Sequence, residues 1–597
     1  MDQVAPSGSS AVPVSERLQA FARRKPLLAA LALALFLALT YQLFVHAGRN
    51  VDSWGWDEST HAELPAARMV VGDVGQAVDA LMQCEQYPFV FPLVLAAGQA
   101  LFGVSENVAR GVAFGLWVLV GLSALALLGR ELGRGSGRST ELALALPLLS
   151  CTSPLVWRYA PSLFLEVPFL TVSTLTLWAW LRRGESAAGW RRGRELLAGA
   201  LVAAAFFTKW NYGALLAAGL GADWLVESWL ETRAGRARSQ ALRSLWLALP
   251  LTAMLSWWFV LPLPAGLEVA AGHREALAGF LAGNRGGATT DWNMRLLHWG
   301  TGVARVPWLV VLASGWLLAL RCAHRRPTRL LWLVALTSCV PVALHPFHLD
   351  RFLIPGLLPL WCLAAVGLAR ESALGDAWHA RLQVGLLLVT SAVLTGVYLS
   401  VPPHAVADRL GFLVEATDAQ SSRLREYQRH VIDEDWSLAG RVPTAGLPRA
   451  VADTLLSLVA QEVKPNERVA WIGMSSELSR AALHLGLLAR GGSRARFLAD
   501  SPQLMDVTPV PGMPLPRFGS DGERDDWLAA ETAAFDVVLI TSPVDLKGRV
   551  GREAIRSRFH APLMERLGWV EKELGKVSVP RPPGEPLQVT LFALRRP

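Results

Sequence analysis

Residues 26–45 contain no charged side chain. About 20 apolar residues is the length of helix that crosses the hydrocarbon core of a bilayer, and it is long for the core of a cleavable signal peptide. A polar stretch ending in Arg23-Arg24-Lys25 precedes the run, and no convincing small-x-small cleavage site follows it. The segment therefore reads as a retained anchor with a cytoplasmic tail over residues 1–25. Further apolar runs lie near 109–129, 141–157, 161–181, 195–209, 211–230, 244–263, 305–320, 330–345, 352–369 and 382–401, giving about 11 spans. Of the 597 residues, 52% are hydrophobic and only 18% charged, more apolar surface than a soluble core of this length needs to hide. The expected fold class is a polytopic α-helical membrane protein.

Basic residues test this layout independently. With a cytoplasmic N-terminus, the inner loops hold the clusters Arg130/Arg134/Arg138, Arg182/Arg183/Arg191/Arg192/Arg194, Arg233/Arg236/Arg238/Arg243 and Arg321/Arg325/Arg326/Arg329, while outer segments carry fewer, scattered cations. This is the positive-inside bias. The net charge of +8 comes from these orientation clusters rather than a phosphate-binding stripe, so no nucleic acid is expected as partner. The run Phe89–Phe102 is apolar enough to compete as a span, but counting it would place Arg130/Arg134/Arg138 outside. It is better read as a helix in the outer interface, which makes 47–108 the first external loop of a membrane domain over 26–401. The five cysteines (84, 151, 322, 339, 362) show no C-x-x-C pair and read as small buried hydrophobes.

Beyond 401 the charge density becomes ordinary and no run can span a membrane. Short β-rich stretches at Arg468–Ile472, Phe535–Ile540 and Leu587–Ala593 alternate with helical patterns near 449–462 and 476–490. Residues 402–597 are thus expected to form a soluble α/β domain, placed outside by the odd number of spans. The turn Gly473-Met-Ser-Ser-Glu477 lacks G-x-G-x-x-G spacing, so a docking or structural role is preferred to a nucleotide site.

Four constellations fall on the outer side. Asp57 and Glu58, in Trp54-Gly-Trp-Asp-Glu-Ser-Thr-His61, follow the first span; Asp57 and His61 are one helical turn apart, suited to acid/base work or to two ligands of a divalent ion, against a plain capped helix start. Glu85 and Tyr87 stand at the mouth of the interfacial helix, where a carboxylate can hold a cation or a sugar hydroxyl, or simply sit in a solvated turn. Glu166, in Leu165-Glu-Val-Pro168, is a carboxylate in an apolar setting, with a structural pair to Arg158 as the plainer explanation. His345, His348, Asp350 and Arg351 precede Phe352-Leu-Ile-Pro355. There Arg351 offers a phosphate a bidentate fork, or snorkels outward. Lys209, in Thr208-Lys-Trp-Asn-Tyr212, lies in a short outer turn and is a second phosphate candidate, with anchoring by neighbouring aromatics as the alternative.

At these residues the chain resembles glycosyltransferase family 39 of the GT-C superfamily, which includes the protein O-mannosyltransferases and the lipid A aminoarabinose transferases. The likeness rests on order: Asp-Glu after the first span, Tyr-Pro leading into Leu101-Phe-Gly-x-Ser105 and Ala109-Arg110, an acidic residue before Pro168, Thr-Lys-Trp, and Asp-Arg-Phe-x-x-Pro. It covers roughly 27–370. The resemblance implies transfer of a sugar from a polyprenyl-phosphate donor to a lipid, glycan or protein acceptor on the extracytoplasmic face of the plasma membrane. It implies Asp57 as catalytic base, Glu166 as a second acidic position, and Arg351 and Lys209 facing the donor phosphate, with no certain cofactor. The chain departs from the family at Gln86-Tyr-Pro-Phe89, where many relatives have a Pro-Pro pair, and at Glu166, where aspartate is more usual.

The chemistry fits on its own terms. A lipid-phosphate donor carries its leaving group, so the protein must supply a base for the acceptor hydroxyl and cations for the departing phosphate; opposite-face attack then inverts the anomeric centre. A transporter or flippase would show charges near span centres and a two-fold hydropathy repeat, and no such repeat is seen. A serine hydrolase or ligase lacks a G-x-S-x-G element.

Overall fold

The computed structural model describes chiefly residues 26–49, 62–71, 89–134, 137–151, 165–183, 188–259, 306–344, 350–374, 449–464, 467–472, 480–489, 535–542, 568–579 and 586–597, with isolated positions elsewhere. Its first part is a helical bundle, beginning with α1 (Pro26–Arg49), α2 (Leu64–Val71) and α3 (Val90–Phe102). A long helix follows, made of α4 (Glu106–Gly115), a π-helical turn (Leu116–Gly121) and α5 (Leu122–Gly133). Next come α6 (Ser139–Cys151), α7 (Glu166–Arg182), α8 (Ala188–Phe206), α9 (Trp210–Arg233), α10 (Ala237–Phe259), α11 (Val306–Leu320) and α12 (Arg326–Leu344). A 3-10 turn (Asp350–Leu353) leads into α13 (Ile354–Leu374). Ten of the expected apolar runs thus lie on helices, and the run 382–401 falls outside the described residues.

Glu106–Gly133, 28 residues, is among the described residues the one helix long and apolar enough to cross a membrane. Its start is specified locally. Ser105 caps it by accepting from the Val108 amide at 3.2 Å, and Glu106 places an anion in the first turn. The π turn shifts the face below it so that Trp117, fully buried, lies under Gly121. A Cβ on Gly121 would stand 2.6 Å from the Trp117 ring and 2.8 Å from the Thr171 hydroxyl, so this crossing with α7 requires glycine. α3 has 13 residues, about 20 Å of helix against a hydrocarbon core of roughly 30 Å. Its Leu101 and Phe102 are 77% and 73% exposed.

Beyond the bundle, α14 (Arg449–Glu462), β1 (Val469–Ile472), α15 (Arg480–Ala489), β2 (Val537–Ser542), β3 (Val570–Val579) and β4 (Leu587–Arg595) form an α/β unit. The sheet order is β1-β2-β4-β3, with β1 parallel to β2 and the other pairs antiparallel. β2 is buried along its whole length, as its unbroken apolar run predicts. β3 is the element that sequence reading misses. Its charged, mostly exposed Val570-Glu-Lys-Glu pattern is the polar edge of the sheet, whose hydrogen bonds come from β4.

The two parts share a core. Ala62, Leu64, Ala66 and Ala67 at the start of α2 lie in one apolar cluster with Leu95 of α3, Ala109 of α4, and Ala482, Leu483 and Leu485 of α15. Arg449 opens α14, a position the helix dipole disfavours for a cation, and it reaches across to Glu106 at 3.1 Å and Asn107 at 3.1 Å. Glu106 also pairs with Arg110 at 2.9 Å. Arg449→Met is expected to lower the thermal unfolding midpoint by the equivalent of about 1 kcal/mol, because the pair is only partly shielded from solvent.

Candidate functional site

Phe207-Thr208-Lys209 turns the chain from α8 into α9. The turn is tight: the Lys209 amide donates to Ala205 O at 3.3 Å, and the Gly213 amide donates to Lys209 O at 2.8 Å. A Cβ on Gly213 would strike the Phe206 backbone, so glycine is what lets the first turn of α9 fold back here. Lys209 takes extended backbone angles at the cap of α9, where the positive end of the helix dipole opposes an ammonium. It is nevertheless only 4% exposed. The side chain in this turn is therefore buried.

Its compensation is Glu166. Lys209 Nζ stands 2.6 Å from Glu166 Oε1, and Glu166 is 1% exposed. Glu166 opens α7, where the dipole favours a carboxylate, and Pro168 is tolerated because the first-turn amides need no intrahelical acceptor. Arg158, the structural partner that the sequence offered for Glu166, lies outside the described residues; among the described residues Lys209, 43 positions away, stands beside it. Lys209 Nζ also lies 4.4 Å from the centre of the Tyr212 ring. The aromatic contact and the ion pair therefore coexist.

Aromatic rings gather two other motifs near this pair. Tyr212 packs edge-on against Phe169 of α7 at 5.5 Å and against Phe352 at 6.5 Å, which brings the Asp350–Leu353 turn to the same place. Phe89 packs on Phe207 at 5.3 Å, and the Val90 amide donates to Phe207 O at 3.1 Å. The segment just after Glu85 and Tyr87 is therefore anchored two residues before Lys209. From α3, Gln99 Nε2 donates to Glu63 Oε1 at 3.1 Å, both side chains buried, which ties the start of α2 to the same helix. The Glu166–Lys209 pair is thus linked by direct contacts to the motifs that carry Tyr87-Pro88 and Arg351.

Several sequence candidates lie outside the described residues: Asp57, Glu58, His61, Glu85, Tyr87, His345 and His348. Asp350 and Arg351 are placed by their backbone in the 3-10 turn. Among the described residues no group of three or more His, Cys, Asp or Glu side chains is positioned to hold a metal ion.

Sequence reading overlooks a second charged assembly at the far ends of α7 and α9. Asp223, fully buried, accepts from Trp180 Nε1 at 3.0 Å and from Arg329 at 3.1 Å. Glu227 pairs with Arg183 and with Arg326 at 3.5 Å, and Arg243 meets Glu195 at 2.8 Å. The available signal was Asp223 itself, a carboxylate inside the apolar run 211–230. These ion pairs tie together the ends of α7, α8, α9, α10 and α12.

The fold is similar to that of solved membrane-protein structures. Two solved structures of ArnT from Cupriavidus metallidurans share it: the apo state at 18% identity and a TM-score of 0.53, and the form bound to undecaprenyl phosphate at 16% identity and a TM-score of 0.55. Each match covers 94% of this chain and 97% of that one. The apo oligosaccharyltransferase of Archaeoglobus fulgidus is a looser likeness, at 11% identity and a TM-score of 0.46 over 94% of this chain and 80% of that one. No protein-family model matches the sequence, and no curated protein matches it significantly.

Proposed function

We propose that this chain is a membrane glycosyltransferase of the plasma membrane that takes a sugar from a polyprenyl-phosphate carrier and gives it to an acceptor hydroxyl on the extracytoplasmic face. The observation that carries the reading is the Glu166–Lys209 pair, a buried ion pair at 2.6 Å set by Phe89, Tyr212 and Phe352 among the motifs that the sequence singles out, in a chain with the fold of ArnT. Undecaprenyl phosphate bound in one of those ArnT structures supports a lipid-phosphate donor here. In this reading Asp57 deprotonates the acceptor, Lys209 and Arg351 neutralise the departing phosphate, and Glu166 holds Lys209 in place until donor arrives. Glu58, His61, Glu85, Tyr87, His345, His348 and Asp350 then line the sugar and acceptor positions. Transfer proceeds with inversion and without a covalent intermediate.

The test is mass spectrometry of intact lipids and glycans from cells with and without the gene. A surface modification lost together with a prenyl-linked sugar accumulated supports transfer; unchanged profiles in both pools overturn it. Arg351→Lys addresses the phosphate role directly. Replacing a planar fork by a point charge is expected to raise the donor KM roughly tenfold while leaving the acceptor KM within about twofold. An unaltered donor KM removes Arg351 from the phosphate site.

A further inference from the structure

α9 and α10 form a hairpin at the end of the bundle that the positive-inside bias assigns to the cytoplasm, the end remote from Glu166 and Lys209. Gly235, with φ of 75°, makes the turn between them. Each helix leaves an apolar stripe uncovered. On α9 the stripe is Leu225 and Trp229, four positions apart, 61% and 53% exposed, and on α10 it is Leu242, Leu245 and Leu249, 54%, 59% and 48% exposed. Both stripes end at the hairpin in an arginine on the same helical face, Arg233 one turn beyond Trp229 and Arg238 one turn before Leu242, and both arginines are exposed.

The charge balance at this end is uneven. The carboxylates described there are engaged: Asp223 with Arg329, Glu227 with Arg183 and Arg326, Glu195 with Arg243, and Glu231 with Arg236 at 2.5 Å. Arg192, Arg233 and Arg238 have no carboxylate partner among the described residues. Arg233 instead stacks over Trp229, its Cζ 3.9 Å from the ring centre, and Arg192 lies over Trp246 of α10 at 5.7 Å. Stacking fixes the plane of a guanidinium and leaves its N–H edge free to donate. Apolar stripes suited to acyl chains thus lead directly to two forks suited to a phosphate, and the stripe sets the depth at which a headgroup would lie.

We propose that the α9–α10 hairpin binds the headgroup phosphate of an anionic phospholipid, with Arg233 and Arg238 as the phosphate contacts, Arg192 as a flanking cation, and Leu225, Trp229, Leu242 and Leu245 against the acyl chains. The site is separate from Glu166 and Lys209 and does not depend on the transferase reading. Purified full-length protein in neutral detergent would be titrated with dioleoyl phosphatidylglycerol, with dioleoyl phosphatidylcholine and with inorganic phosphate. The thermal unfolding midpoint and the lipid retained in native mass spectrometry would be followed. Phosphatidylglycerol is expected to raise the midpoint and to remain bound, and the other two to do neither. In Arg233→Gln/Arg238→Gln the half-saturating phosphatidylglycerol concentration is expected to rise at least about tenfold, with the lipid-free midpoint unchanged. Arg238→Gln alone gives the same reading should the double variant fold poorly. Equal responses to the two lipids, a phosphate response matching that of phosphatidylglycerol, or variants that bind phosphatidylglycerol as the parent does would each overturn the proposal.

Discussion

Lys209→Met is expected to destabilise the protein by about 3–5 kcal/mol and to abolish transfer, because it removes one member of a buried ion pair and leaves the other in place. Glu166 and Lys209 are 1% and 4% exposed, and their 2.6 Å contact joins the starts of α7 and α9. Removing a charge costs most when the surroundings cannot supply water in its stead. The dipole of α7 still favours a carboxylate at its first turn after the change, but that contribution is about 1 kcal/mol and cannot replace an ammonium at hydrogen-bond distance. The double variant Glu166→Gln/Lys209→Met removes both charges while keeping most of the volume. It is expected to regain most of the lost stability, since a buried pair exchanged for neutral groups is often near neutral. Unfolding midpoints of the two single variants and the double in detergent measure this directly. If the double is no more stable than Lys209→Met, each residue is held by its other contacts and the pair is not the energetic unit. Stability and turnover also separate the two roles of Lys209. A double variant that folds and transfers removes the ammonium from the chemistry, and one that folds but does not transfer keeps the pair in it.

The extent to which all this is legible in the sequence follows the range of the forces involved. Apolar runs such as 109–129 and 211–230 are local matters of sequence, and the helices Glu106–Gly133 and Trp210–Arg233 overlie them, the first long and apolar enough to cross a membrane. β2 and β4 announce themselves as apolar runs, whereas β3 hides because an edge strand is written in lysine and glutamate. Glu166 and Lys209 each stand out as charges in apolar settings, but their pairing spans 43 positions and has no local signature. The π turn at Leu116–Gly121 is equally silent, because it depends on how Trp117 and Thr171 pack around Gly121. Arg449 reads as an ordinary cation of a soluble helix until the fold sets it against Glu106, more than 340 positions earlier. Charge type and depth are written locally; partnership is written in topology.

Asp57→Asn is expected to reduce transfer by about 10²–10⁴-fold while leaving insertion, folding and donor affinity close to those of the parent, because it keeps the shape of the side chain and removes only its capacity to accept a proton. The nearest described residues to it along the chain belong to a packed region. Glu63, six positions later, is fully buried and holds Gln99 of α3, and the other end of α3 is bonded to Phe207 beside Lys209. In the proposed reaction a base lies on the acceptor side of the reacting carbon and the cations on the phosphate side. Glu58→Gln serves as the comparison. It removes a carboxylate one position away, and a base acting alone predicts a loss of no more than about tenfold there. The measurement is the rate at which polyprenyl phosphate is released from a prenyl-phosphate sugar by purified protein. Parental rates in Asp57→Asn with a large loss in Glu58→Gln would move the base by one residue, and parental rates in both would place proton abstraction elsewhere, with Glu166 the next carboxylate to test.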